Sequence, residues 1–245
     1  MTWFSFMGWA TAPSTPRPSG GPPGPAAPSP LHTSPTPSSS ASAAETPPPP
    51  AKPSLTYPNG APIQSGPYDS MSDAAFRGLV DRIIFTNPRI KHIMQSMTQM
   101  GCAVDRRFFH VENCDESVSG GFRPPDGVVL CKNHLRFERD VASTMQHELI
   151  HAFDACRAKG MDWDDCQQHA CSEVRAAALS GDCDFVMELA RGNVSFIGQW
   201  RKCVRRRALL SVSMKPNCQG PRGMEAVDAV LEKCVRDTEP FRRPP

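Results

Sequence analysis

The pentapeptide His-Glu-Leu-Ile-His at positions 147–151 constrains this chain more than any other feature. Residues i and i+4 lie on one face of an α-helix, so the imidazoles of His147 and His151 can reach one metal ion. Glu148 lies beside the first histidine and can accept a proton from an attacking water. The spacing therefore predicts a helix with His147 and His151 as zinc ligands and Glu148 as the catalytic base of a peptidase.

The residues around this pentapeptide favour a helix. No Pro or Gly interrupts residues 141–154. The apolar residues of this run recur at helical spacing and leave one stripe for a core: Val141, Met145, Leu149, Ala152 and Phe153. We predict a helix from about Asp140 to Lys159, capped at its start by Asp140 or Ser143 and ended by Gly160.

A third ligand must come from later in the chain, because a catalytic zinc site usually takes three protein ligands and keeps the fourth position open. His169 and Glu173 are again four residues apart and share a face of a second predicted helix. We expect Glu173 to be the third ligand of one Zn²⁺ ion. His169 is the alternative ligand, and otherwise supports a ligand or faces the substrate.

Other interpretations of the nearby acidic residues stay open. Four aspartates are the remaining candidates for the third ligand: Asp154, Asp162, Asp164 and Asp165. Asp154 could instead accept a hydrogen bond from a ligating imidazole and fix its tautomer. Glu173 could instead form an ion pair with Arg175 or Arg157 on a solvated surface.

Composition divides the chain into two parts. Most of its 26 prolines precede Tyr68, mixed with Ser, Ala, Gly and Thr. Such a segment buries too little apolar surface to offset its ordering entropy, so residues 1–67 are predicted to be disordered. Residues 68–242 are expected to form one domain.

Charge excludes little, since 27 Lys and Arg face 25 Asp and Glu; this near-balance argues against a dedicated nucleic-acid binder. The exception is the basic run Arg201–Arg207. We interpret it as a solvated helix face, and the alternative is contact with anionic lipid headgroups. No stretch approaches the roughly 18 apolar residues of a membrane-spanning helix.

All ten cysteines follow Tyr68, and no CxxC pair occurs among them. This pattern favours disulfides in an oxidising compartment over a Cys₄ zinc site, and the alternative is a set of buried thiols. The spacing suits bridges that pin one helix to the next, although the sequence leaves their connectivity open.

The hydrophobic pattern predicts an α+β fold, mainly helical, with a small antiparallel sheet ahead of the motif helix. This order of elements is that of zincin metalloproteases. We expect the strand Val128–Lys132 to be an edge strand that aligns an extended substrate by β-addition.

Several further runs resemble the mitochondrial ATP synthase assembly metalloproteases. They are HELIHAFDACR, DW at 162–163, HACSEVRAA, LSGDC at 179–183, CVRRRALLSV at 203–212, and CVRDTEPF at 234–241. The resemblance extends over about residues 68–241, and the Pro-rich tail is outside it.

The resemblance implies a zinc peptidase attached peripherally to the mitochondrial inner membrane, on the intermembrane-space side. It implies removal of N-terminal residues from the ATP synthase subunit 6 precursor, and help in assembling that subunit with the subunit 9 ring. His147 and His151 match the family's zinc ligands, and Glu148 matches its catalytic base.

Two rival functions remain. One is a non-catalytic assembly chaperone in which the zinc site is incidental. The other is a nuclear, DNA-associated HExxH protease, suggested only by Arg205–Arg207; it predicts free thiols and salt-dependent DNA binding.

Overall fold

The computed structural model describes residues 66–115, 118–193 and 198–244. Almost all of the predicted disordered segment, residues 1–67, lies outside the described residues. Within them the chain is mainly helical with one small sheet, so the predicted fold class is confirmed.

Seven α-helices make up most of the described chain. They are α1 (Asp73–Thr86), α2 (Pro88–Gln99), α3 (Glu138–Arg157), α4 (Cys166–Leu179), α5 (Phe185–Ala190), α6 (Gln199–Val212) and α7 (Pro221–Cys234). Local chemistry sets several of these boundaries. The Ser72 side chain caps α1, and Asn87 caps α2 directly before Pro88, whose fixed φ suits a first helical position.

The sheet has three strands, β1 (Phe109–Glu112), β2 (Gly120–Arg123) and β3 (Gly127–Cys131), in the order β1-β3-β2. It is mixed and not antiparallel as predicted, because β1 runs parallel to β3 whereas β2 is antiparallel to β3. Gly127 opens β3 with a φ of +133°, and a Cβ there would clash with the carbonyl oxygen of Phe108.

The sheet order corrects one prediction. The strand Val128–Lys132 was expected at an edge, but β3 is central and its two neighbours occupy both of its hydrogen-bonding edges. A central strand has no free edge for β-addition. The strand β2, for which no strand was predicted, is the edge strand that packs against α3.

Helix α3 is the central element of the core. It packs against α2, α4, β2 and β3, and its residues from Val141 to Asp154 are buried apart from Ala142. The helix begins at Glu138, after Phe137, which provides no side-chain cap. The predicted cap by Asp140 or Ser143 is therefore wrong. Both residues lie inside the helix, where Asp140 instead accepts from Thr144 through its carbonyl oxygen.

Five disulfides join all ten cysteines, which confirms the predicted oxidised state. The pairs are Cys102–Cys156, Cys114–Cys131, Cys166–Cys218, Cys171–Cys234 and Cys183–Cys203. Three of them link residues more than fifty positions apart and so tie distant parts of the chain together; of these, Cys171–Cys234 joins α4 to α7.

The basic run lies on α6, and most of its charges are already matched. Arg201 pairs with Glu232, and Arg205 with Asp228. Arg206 and Arg207 pair with two buried carboxylates, Glu188 and Asp182 respectively. This face is therefore an ion-paired contact with its neighbours rather than a simple solvated surface. Among the described residues, no helix has the length and apolar character needed to cross a membrane.

Candidate metal centre

Helices α3 and α4 bring three polar side chains together in the protein interior. His147 and His151 come from successive turns of α3, and Glu173 faces them from α4. Their ligand atoms all lie within 4.8 Å of one another. Glu173 and His151 are fully buried, and His147 is 5% exposed. These three residues form a group that could hold a metal ion.

The distances in this group suit a shared ion better than hydrogen bonds. Nε2 of His147 lies 3.5 Å from Oε2 of Glu173, and Nε2 of His151 lies 3.6 Å from Oε1. Both separations exceed a good N–H···O distance. Two ligands each about 2.0–2.1 Å from a tetrahedral zinc ion are roughly 3.3 Å apart.

Unsatisfied polar atoms support the same conclusion. Oε2 of Glu173 is buried without a hydrogen-bond partner, although it faces a histidine. A buried carboxylate oxygen in this state is costly unless a cation compensates it. The donor set of two imidazoles and one carboxylate is one that zinc accepts in peptidases. The residues present therefore fit a metal ion.

The electrostatics of the group favour an ionised carboxylate at Glu173 and a neutral imidazole at His151. Burial alone would raise the pKa of Glu173, but the nearby histidines, His151 first, hold it well below its usual range. Burial lowers the pKa of His151 to about 3, which keeps its imidazole neutral at physiological pH. Burial would also lower the pKa of His147, but the carboxylates of Glu173 and Glu148 outweigh it and raise that pKa. The group thus attracts positive charge.

Glu148 follows His147 on α3, and its side chain is almost fully buried. Its carboxylate contributes to the raised pKa of His147, so the two charges are close enough to interact. Its role as the catalytic base stays a prediction.

His169 lies behind Glu173 rather than within the group of three. Its Nε2 is 3.2 Å from Oε1 of Glu173, and the residue is only 2% exposed. This arrangement suits a side chain that supports a ligand. Neither Arg175 nor Arg157 pairs with Glu173, since both guanidinium groups contact Asp154.

The four candidate aspartates have other partners. Asp154 accepts from Arg175 and from the hydroxyl of Ser172. Asp162 accepts from the backbone N–H of Asp164. Asp164 pairs with Lys215, and Asp165 caps α4. None of them belongs to the group that could hold a metal ion.

Two residues near the site were missed by the motif analysis. Ser172 Oγ lies 2.8 Å from Nδ1 of His151 and donates to Asp154, so the predicted contact between Asp154 and an imidazole passes through a serine. The ring of Trp163 is 6.1 Å from His151 and 6.0 Å from Phe122 of β2. Both roles depend on how α4 and the loop before it pack on α3.

Comparison with known proteins gives a consistent result. The model of the peptidase M76 family matches residues 77–242. The mitochondrial inner membrane protease ATP23 homolog of Homo sapiens is 44% identical over 65% of this chain and 66% of its own length. The Xenopus laevis homolog is also 44% identical, over 65% of this chain and 69% of its own length. The mitochondrial inner membrane protease ATP23 of Coccidioides immitis is 37% identical over 66% of this chain and 69% of its own length. No solved structure matches the chain.

Proposed function

Because the chain belongs to the peptidase M76 family, we propose that it is a zinc-dependent endopeptidase whose ligands are His147, His151 and Glu173. The observation that carries this proposal is the buried convergence of these three side chains, with Glu148 next to the first of them. Two ligands on α3 and one on α4 leave room for a substrate group or water at a fourth position.

Zinc bound here would supply Lewis-acid polarisation of the scissile carbonyl and would lower the pKa of the attacking water. Glu148 then accepts the proton of that water and delivers it to the leaving amine. His169 holds Oε1 of Glu173 through its Nε2, which fixes the orientation of the third ligand.

The edge strand β2 is the best-placed element to align a peptide. It pairs with β3 on one side only, and its Phe122 ring contacts Trp163, which in turn contacts His151. A peptide added to this edge would run beside the site, held by main-chain hydrogen bonds. The aromatic pair would contact its side chains.

Location and substrate follow from the family resemblance. The relatives are named mitochondrial inner membrane proteases. We place this protein at the same membrane as a peripheral component, on the intermembrane-space side, where oxidised cysteines are expected. Its proposed substrate is the ATP synthase subunit 6 precursor, which it trims at the N-terminus and helps to assemble with the subunit 9 ring.

The variant Glu148→Gln tests the catalytic part of this proposal, because it keeps both histidines. We expect precursor cleavage, followed by mass spectrometry of the N-terminus, to fall about 10²–10⁴-fold, while bound zinc is unchanged. Glu138→Gln is the matched control: the same change in the first turn of the same helix, at a side chain that is 51% exposed. Wild-type cleavage by Glu148→Gln would disprove the role of Glu148.

The same variant separates enzyme from chaperone. If Glu148→Gln supports assembly of subunit 6 with the ring but no cleavage, the protein has both functions. The nuclear DNA-bound alternative loses its support, because none of the cysteines is free and Arg205, Arg206 and Arg207 are ion-paired.

A further inference from the structure

A directional chain of hydrogen bonds begins at the back of His151. Its Nδ1 lies 2.8 Å from Oγ of Ser172, and Ser172 Oγ lies 2.9 Å from Oδ2 of Asp154. A serine hydroxyl has one proton, and here the proton goes to the carboxylate. Nδ1 of His151 must therefore be the donor to Ser172. This leaves the lone pair on Nε2, the atom that faces Glu173.

Arg175 fixes the carboxylate end of this chain. Its Nε donates to both oxygens of Asp154, at 2.9 and 3.1 Å. A guanidinium can only donate, so Asp154 acts as an acceptor toward it. Arg157 reinforces this from α3 with its Nε 3.2 Å from Oδ1. Arg175 is fully buried, so its two terminal nitrogens also need acceptors within the protein.

The other two nitrogens of Arg175 contact a segment that follows α7. Residues 235–241, which we call the C-terminal strap, follow α7. Arg175 donates through Nη1 to the carbonyl oxygen of Asp237 and through Nη2 to that of Glu239, the latter at 2.5 Å. The Asp237 carboxylate also lies 2.5 Å from each of the Arg175 and Arg157 guanidinium groups.

The strap is anchored at both of its ends. The disulfide Cys171–Cys234 joins the residue before Ser172 to the residue before the strap. At the other end, Nε2 of His92 lies 2.8 Å from the carbonyl oxygen of Pro240, and the ring of His92 is 5.5 Å from that of Phe241. Helix α2 and helix α4 thus hold the strap against Arg175.

We propose that the C-terminal strap is a working part of the metal centre. By holding Arg175, the strap fixes Asp154 and Ser172, and through them the tautomer and orientation of the His151 imidazole. Ser172, Asp154, Arg175 and Asp237 are positioning residues in this scheme. The inference rests on the proposed function, since it requires that His151 bind zinc.

Because the guanidinium group is planar and rigid, a movement of the strap is transmitted through Arg175 to Asp154. One edge of Arg175 holds Asp154 and the opposite nitrogens hold the strap, so a displaced strap rotates or releases the carboxylate. Loss of an outer hydrogen-bond partner of a ligating histidine typically weakens metal binding about 10–100-fold. A strap that served only to bury the core would affect stability without that loss.

The test is zinc affinity of the full-length protein, measured by competition with a chromogenic chelator. We expect Ser172→Ala and Asp237→Ala each to weaken zinc binding by about 10–100-fold, and to change the visible absorption spectrum of the Co²⁺-substituted protein. Asp228→Ala is the matched control, because it removes an exposed carboxylate of α7 that pairs with Arg205 of α6. It should leave both measurements unchanged.

A double variant tests whether the residues act in one line. Because Asp237 acts through Ser172, the combination Ser172→Ala with Asp237→Ala should lose about as much zinc affinity as Ser172→Ala alone. Additive losses would overturn the proposal. If Asp237→Ala does not fold, Asp237→Asn keeps the side-chain shape, and we expect a loss of roughly 10-fold for it.

Two further outcomes separate this inference from the proposed function. Equal zinc affinity and equal Co²⁺ spectra in wild type and Asp237→Ala would overturn the strap's role while leaving the zinc site intact. Absence of zinc binding by the wild type would overturn both. A lowered melting temperature with unchanged zinc affinity would show that the strap is only structural.

Discussion

Two buried carboxylates, those of Asp182 and Glu173, have opposite kinds of partner. Asp182 is 1% exposed and lies 2.7 Å from Nε of Arg207 and 3.0 Å from Nη2 of Arg191. Glu173 is fully buried and meets only histidine nitrogens in its described ion pairs, all at 3.2 Å or more. The first carboxylate is matched by permanent cations at short range. The second lies in a loose group that fits an added cation.

The comparison distinguishes a carboxylate that stabilises the fold, Asp182, from one that is suited to bind a metal ion, Glu173. A permanently paired buried carboxylate is destabilising to break, because its partner is left charged in the interior. A carboxylate that faces histidines contributes less to the fold alone, because histidine can give up its proton. Functional sites typically carry this kind of local deficit in stability.

The largest expected effect on stability is at Asp182, the carboxylate paired with arginines. Asp182→Asn should lower the free energy of unfolding by about 3–5 kcal/mol, because it removes the carboxylate charge that pairs with the buried guanidinium of Arg207 at 2.7 Å. Urea unfolding followed by circular dichroism measures this. Zinc affinity, normalised to the folded fraction, should remain near the wild-type value. A loss below about 1 kcal/mol would remove the contrast with Glu173.

Glu173→Gln tests the carboxylate that faces the histidines. We expect zinc affinity to fall at least about 100-fold, since a ligand is lost and not merely its support. The free energy of unfolding of the metal-free protein should change by less than about 2 kcal/mol, because Gln keeps the shape and can still accept from His169. Chelator competition and urea unfolding give the two values. A loss as large as that of Asp182→Asn would make Glu173 a structural residue.

Acid sensitivity sharpens the comparison further. Burial alone would raise the pKa of Asp182, but Arg207, His147 and Arg191 outweigh it and lower that pKa below 3.8. The stability from ionised Asp182 is therefore complete above pH 3.8 and is lost as the pH falls through the lowered value. The slope approaches about 1.4 kcal/mol per pH unit, and Asp182→Asn should lack this contribution. Urea unfolding at several acidic pH values measures it; identical slopes would contradict the assignment.

The smallest effect is expected at the surface. Asp228→Asn breaks the ion pair with Arg205; the Asp228 side chain is 51% exposed and that of Arg205 is 40% exposed. Solvent screens such a pair, so the free energy of unfolding should change by about 0–1 kcal/mol. Thermal unfolding is sufficient to measure it. A change comparable to that of Asp182→Asn would mean that burial does not decide the strength of these pairs.

The sequence predicted those parts of the fold that depend on local periodicity. Helix α3 begins and ends within a few residues of its predicted bounds. The strand β2 was missed because Gly120 and Gly121 favour a turn in isolation, and only pairing with β3 makes them a strand. The predicted edge position of β3 failed for the same reason, since strand order depends on pairing over distance.

The candidate site divides in a similar way. His147, Glu148 and His151 follow from spacing within one helix. Glu173 was preferred as third ligand from its spacing and chemistry, and the structure places it in the group with the two histidines. Ser172 and Trp163 carry no local signal, because their roles arise only when α4 and its preceding loop pack on α3. The disulfide pairs could not be predicted for the same reason.

The strap also bears on the order in which the protein is made. The proposed zinc ligands all precede position 174, yet Arg175 finds its remaining acceptors only at Asp237 and Glu239. Helix α4, which carries Arg175, is joined to α7 by a disulfide only when Cys234 is available. During vectorial synthesis, the ligands therefore leave the ribosome well before the groups that hold them in place. The site is completed by residues translated well after its ligands, so a chain truncated before Asp237 would carry the motif without its full support.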